Sequence, residues 1–126
     1  MNILSSLFLA LAIAVPQQAQ ANTTELSLST KVNVLSTIFA VDPKTVSAII
    51  KCESSGNPKT THLNKNGTTD HGYFQVNDTH IPEATKRGLD ITKPDDNLLF
   101  GFQLLKEKGL QPWSASKSCW QPITDV

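Results

Sequence analysis

Two carboxylates, Glu53 and Asp70, stand in the stretch of this chain whose residue types could carry a reaction. From Cys52 to Asn77 it reads CESSGNPKTTHLNKNGTTDHGYFQVN. A carboxylic acid that keeps its proton can protonate a leaving oxygen. A second carboxylate can attack, activate water or stabilise a cationic intermediate, and glycoside cleavage uses such a pair. Glu53 falls in the last turn of a predicted helix, where the negative end of the helix dipole favours the protonated acid. Burial among helix residues would raise its pKa further. Asp70 lies past a turn signal, so the two could face each other across a cleft. Two carboxylates at some spacing occur in almost any chain, and by themselves they are equally consistent with two solvated side chains.

Two elements must position this pair. Asp42 is a good helix cap and Pro43 suits the first helical position. Val46, Ile49, Ile50 and Glu53 follow, and Gly56-Asn57-Pro58 ends the helix. Asn66-Gly67 is a strong two-residue turn signal between Leu63 and the run Thr68, Thr69, Tyr73, Phe74, Val76. It predicts a small antiparallel hairpin over about 61–77. Before these, Val32, Val34, Leu35, Ile38 and Phe39 predict a helix over about Thr30 to Ala40, with a strand as the alternative because Val and Ile recur there. Afterwards, His80 to Arg87 reads as a short helix ended by Gly88. A longer helix capped by Asp95 or Asp96 carries Leu98, Leu99, Phe102, Leu104 and Leu105 to about Lys108. The order predicts an α+β fold, mostly α.

The first 21 residues contain no Asp, Glu, Lys or Arg. Ile3 to Val15 is almost continuously apolar, and Ala19-Gln20-Ala21 is a small-x-small pattern. This reads as a secretory signal peptide, 1–21, followed by a flexible segment, 22–30, and one domain, 31–122. This thirteen-residue run is short for a membrane span, so no membrane association is expected after cleavage. The exported chain would be periplasmic or extracellular. There an isolated cysteine pair, Cys52 and Cys119, usually forms a disulfide. Without a Cys-x-x-Cys motif, a metal or nucleophilic role for them is disfavoured.

Longer motifs change the weight of the two carboxylates. Glu53-Ser54 followed by Gly56-Asn57-Pro58 resembles the Glu-Ser-x-x-Asn-Pro signature of the soluble lytic transglycosylase domain family. Gly72-Tyr73-Phe74-Gln75-Val76-Asn77 resembles that family's Gly-Leu-Met/Phe-Gln-Ile/Val-Asn segment. Val41-Asp42-Pro43 with Ala48-Ile49-Ile50 looks like the helix leading to its catalytic Glu, and Pro94-Asp95-Asp96-Asn97-Leu98 with Gly101 like its next helix start. Asn66 to Gly72 also looks like the corresponding hairpin of animal-type lysozymes. The resemblance spans about Leu35 to Trp120.

It implies a lysozyme-like fold with a small β-hairpin beside the cleft, and peptidoglycan glycan strands as substrate. Glu53 would be the acid acting on the β-1,4 bond between N-acetylmuramic acid and N-acetylglucosamine, then the base for closure of a 1,6-anhydro ring. Asp70 would take part directly if the reaction were hydrolytic, as in a lysozyme. Otherwise it is a turn residue bonding local backbone. Ser54 would support Glu53 or the substrate, unless its hydroxyl bonds helix backbone. Gln75 would line the cleft or satisfy hairpin backbone. Tyr73 and Trp113 are the aromatic candidates for sugar contact, with a core role favoured for Trp113. Family members carry a late-domain Tyr that reaches the catalytic Glu. Tyr73 is the only Tyr here, which leaves Trp113 or Ser116 to substitute.

Equal numbers of basic and acidic residues, 11 each, and no Lys/Arg run exclude a nucleic-acid role as the main reading. His62, His71 and His80 have no metal-ligand spacing, so neither metal nor cofactor is expected. The resemblance also allows a wall-spanning secretion or conjugation machine as a partner. The remaining alternative is a peptidoglycan-binding module without turnover.

Overall fold

The computed structural model describes residues 23–126 and Ala14. The predicted signal peptide lies outside these residues except for Ala14. Five helices and one small sheet make up the described residues, in the mostly helical α+β arrangement expected. Among the described residues no helix is long and apolar enough to cross a membrane.

Helix α1 spans Leu28–Phe39, starting two residues before the expected Thr30. The hydroxyl of Ser27 accepts the Thr30 amide at 3.1 Å, so part of the segment read as flexible is the cap and first turn of a helix. Helix α2 spans Pro43–Ser54. The Asp42 carboxylate accepts the amides of Lys44 and Thr45, and Pro43 fills the first turn, where its missing N–H costs nothing. Ser55 stops α2 in the left-handed conformation, φ 54°. That reversal leaves Glu53 on the helix's last turn, facing the sheet that follows.

The sheet has three antiparallel strands in the order β1 (Thr61–Leu63), β2 (Thr69–His71) and β3 (Val76–Asn77). His62 pairs with Asp70, and Asp70 with Asn77, so Asp70 sits on the central strand. A 3-10 turn, Asp78–His80, leads into α3, Ile81–Lys86.

Helix α4, Pro94–Lys108, is the spine of the core. Neither Asp95 nor Asp96 caps it. The cap position is Lys93, and both aspartates lie in the first turn, where they meet the positive end of the dipole. Asp96 accepts the Asp90 amide instead, and Asp95 pairs with Lys31. Leu98, Phe100, Phe102, Leu104 and Leu105 are buried on several sides of α4, the mark of a helix enclosed by others. Gly101 lies against the ring of Phe74, and a Cβ at that position would overlap the ring. Gly101→Ala is therefore expected to destabilise the fold by about 3 kcal/mol through overpacking, read as a lowered urea midpoint with unchanged slope.

A 3-10 stretch, Gln111–Ser116, precedes α5, Lys117–Thr124, a helix absent from the sequence reading because its short segment carries Pro122 in its interior. Cys52 on α2 and Cys119 on α5 form a disulfide with a Cα–Cα separation of 6.0 Å. Helix α5 packs chiefly on α2.

Candidate active site

One cleft runs between the end of α2, the sheet and the 3-10 stretch before α5. Glu53, Asp70, Gln75, Asn77, His80 and Trp113 all line it. The structure thus brings together four of the predicted site residues, Glu53, Asp70, Gln75 and Trp113, and adds the side chains of Asn77 and His80.

Glu53 is half-buried. Burial, which penalises the charged carboxylate, pushes its pKa up. A hydrogen bond from Ser116 opposes this, and the negative charge of Asp70 adds a smaller push upward. The Ser116 hydroxyl donates to Glu53 Oε1 at 2.5 Å. Of the two substitutes considered for the family's late Tyr, Ser116 is the one that reaches Glu53. Trp113 turns its polar edge elsewhere: its indole N–H donates to the Phe74 carbonyl at 2.9 Å, and its ring tilts against Phe74 with centroids 5.3 Å apart. At 4% exposure Trp113 is a wall of the cleft held in the core, not an open stacking platform.

Asp70 faces Glu53 from the sheet. Its Oδ1 accepts a 2.7 Å hydrogen bond from the Asn77 side-chain amide, which also donates to Thr68. The amide oxygen of Asn77 accepts the Thr79 amide. Asn77 therefore orients the carboxylate and starts the following turn. Its signal was the local pairing capacity of Asn at a strand end. His80 closes this side of the cleft. Its imidazole is edge-on to Phe100 at 5.7 Å, and burial, with Lys108 adding to it, pushes its pKa down. A neutral imidazole there can donate or accept a hydrogen bond from a ligand.

Gln75 sits in the left-handed region, φ 51°, a strained conformation for a residue with a Cβ. Both protons of its amide are engaged, by the carbonyls of Thr60 and Gly72 at 2.9 Å each. The side chain both lines the cleft and ties the two ends of the hairpin, so the alternatives posed for it coexist.

Ser54 and Tyr73 do not line this cleft. The Ser54 hydroxyl is buried and bonds the carbonyls of Tyr73 at 2.9 Å and Ile50 at 3.1 Å. It fastens the end of α2 to the turn after β2, because a hydroxyl one position past Glu53 points to the core side of the helix. Tyr73 is itself buried, at 9% exposure. Asn97, read in the sequence only as part of the motif at the start of α4, is fully buried and holds the backbone of this turn. It accepts the Phe74 amide and donates to the carbonyls of His71 and Ile91. Gly72 leaves room for it, since a Cβ there would crowd the Asn97 amide at 2.7 Å.

A raised-pKa carboxyl and a second carboxylate, set across a cleft with neutral hydrogen-bonding groups between them, suit acid–base attack on an acetal oxygen. The family model described as Transglycosylase SLT domain matches residues 31–114. No curated protein matches the chain.

Proposed function

The chain belongs to the transglycosylase SLT domain family, the peptidoglycan-cleaving lytic transglycosylases with a lysozyme-like fold, and from that premise we propose that it is an exported enzyme that cuts the β-1,4 bond between N-acetylmuramic acid and N-acetylglucosamine with Glu53 as its acid and base. The observation that carries this reading is the half-buried Glu53, its pKa pushed up, opening on a cleft.

The steps follow from that carboxyl. Protonated Glu53 gives its proton to the glycosidic oxygen as the bond to the muramyl C1 breaks. Positive charge then develops on the sugar, and the Asp70 carboxylate across the cleft stabilises it. The ionised Glu53 next takes the proton of the muramyl 6-hydroxyl, whose oxygen closes on C1. The product is a 1,6-anhydromuropeptide, Glu53 is again protonated, and no water is consumed. The apolar leader, residues 1–21, supplies the route out of the cytoplasm, and the disulfide fits a periplasmic or extracellular setting. A wall-spanning secretion or conjugation machine is the partner class that membership of this family allows.

A second reading, hydrolysis by a Glu53–Asp70 pair as in a lysozyme, is favoured by one observation: Asp70 lines the same cleft and acts on Glu53 electrostatically. Release of soluble fragments from purified sacculi by the wild type and by Asp70→Asn separates the two. Anhydro-ring formation predicts that Asp70→Asn slows release by about tenfold, the loss of one charge stabilising the transition state. Collapse of Asp70→Asn to the background left by Glu53→Gln would favour hydrolysis. A wild type that binds sacculi and releases nothing would leave the binding-module reading.

A further inference from the structure

The hydroxyl of Ser116 has two neighbours: Glu53 Oε1 at 2.5 Å and the Trp113 carbonyl at 3.2 Å. The far shorter contact assigns its single proton to Glu53. Among the described residues Glu53 Oε2 has no hydrogen-bond partner. One carboxyl oxygen is therefore occupied and the other is left to the cleft. Ser116 can go on donating to protonated Glu53 only if Oε1 is the carbonyl-like oxygen and Oε2 carries the proton.

The support for Ser116 lies beyond the matched residues 31–114. Cys119, three positions on, is bonded to Cys52, which adjoins Glu53. The Trp113 carbonyl near Ser116 also accepts the indole N–H of Trp120 at 3.0 Å, which fixes the 3-10 stretch against α5. The two sides of the Glu53–Ser116 contact are thus clamped to each other by a covalent bond within a few residues of each partner.

We infer that Ser116 is a positioning residue that confines the exchangeable proton of Glu53 to Oε2, and that the Cys52–Cys119 disulfide holds Ser116 in register to do so. This rests on Glu53 being the acid of the proposed reaction. Donation to Oε1 stabilises the carboxylate more than the acid. Its loss leaves the proton free to occupy either oxygen, one of which does not serve the substrate, and moves the titration of Glu53 upward. The other ionisable groups lining the cleft are Asp70 and His80.

The test pairs carbon-13 NMR titration of the Glu53 carboxyl with release from sacculi, in wild type, Ser116→Ala, Ser116→Thr and wild type with the disulfide reduced, each checked for folding by circular dichroism. Ser116→Ala is expected to raise the Glu53 titration midpoint, to lower kcat about tenfold with KM little changed, and to shift the alkaline limb of the rate profile upward. Ser116→Thr restores all three, and reduction reproduces the upward titration shift. A folded Ser116→Ala chain whose Glu53 titrates as in wild type overturns the inference, as does a folded Ser116→Thr chain that behaves like Ser116→Ala. The titration needs no substrate, so the two proposals fail separately. A shifted midpoint in a chain that releases no muropeptide contradicts the proposed function alone, and an unshifted midpoint in an active chain contradicts this inference alone.

Discussion

Glu53→Gln is expected to lower the release of muropeptides by about a thousandfold, within the range contributed by a general acid–base group. Gln keeps the shape of the side chain and can still accept the Ser116 hydroxyl through its amide oxygen, but it has no proton acidic enough for the leaving oxygen. The same change should not weaken the fold at neutral pH. Burial raises the Glu53 pKa above its ordinary carboxylate value, so the folded chain holds a proton that the unfolded chain releases. Between the unfolded and the raised folded pKa, stability falls as pH rises, and the deficit persists above that window. Gln escapes it. Thermal melts on either side of the window should show wild type losing stability relative to Glu53→Gln as pH rises. A Glu53→Gln chain that folds and still releases muropeptides at more than a tenth of the wild-type rate would remove Glu53 from the reaction.

Opening the Cys52–Cys119 bond should have the largest effect on stability. The bridge joins residues 67 positions apart, and constraining a loop of that length in the unfolded chain stabilises the fold by about 4 kcal/mol in the chain-entropy model. For a domain of this size that corresponds to a fall in Tm of roughly 15–30 °C. Cys119 is exposed, so a reductant can reach the bond. Cys52→Ser with Cys119→Ser gives the same comparison without reductant. Because α5 packs chiefly on α2 and carries little else into the core beyond Trp120, its local loosening should precede global unfolding, and hydrogen exchange in residues 117–124 should rise first. Equal melting temperatures with and without reductant would show that the bond restrains nothing the core does not already hold.

The residues that cap and terminate α2 explain why its end, and with it Glu53, was readable from sequence. Asp42, Pro43 and the Gly-Asn-Pro that follows act locally, through backbone groups a few positions away. The Asn66-Gly67 turn is equally local, and it placed β1 and β2. Strand β3 is only two residues long, and its pairing with β2 depends on a tight turn in which Gln75 takes a positive φ, a conformation no residue-type rule favours. The role of Asn97 was concealed for a related reason. Within an apolar stripe its amide looks like a lapse in the pattern, and only the fold brings it the three backbone partners that it satisfies. Ser54 and Ser116 show the limit of motif reading. Ser54 adjoins Glu53 in sequence but bonds the core-side backbone. Ser116 is 63 positions away and makes the contact, because a helix too weak in propensity to be predicted is tied back by the disulfide.

The most direct test of a single carboxyl serving as acid and base is digestion of purified sacculi by the chain in water enriched in oxygen-18, with the soluble fragments weighed by mass spectrometry. Ring closure by the muramyl 6-hydroxyl predicts anhydromuropeptides, each lighter by one water than its hydrolytic counterpart and free of the heavy isotope. Reducing-end muropeptides carrying one oxygen-18 would contradict it and assign the reaction to water, with Asp70 as Glu53's partner.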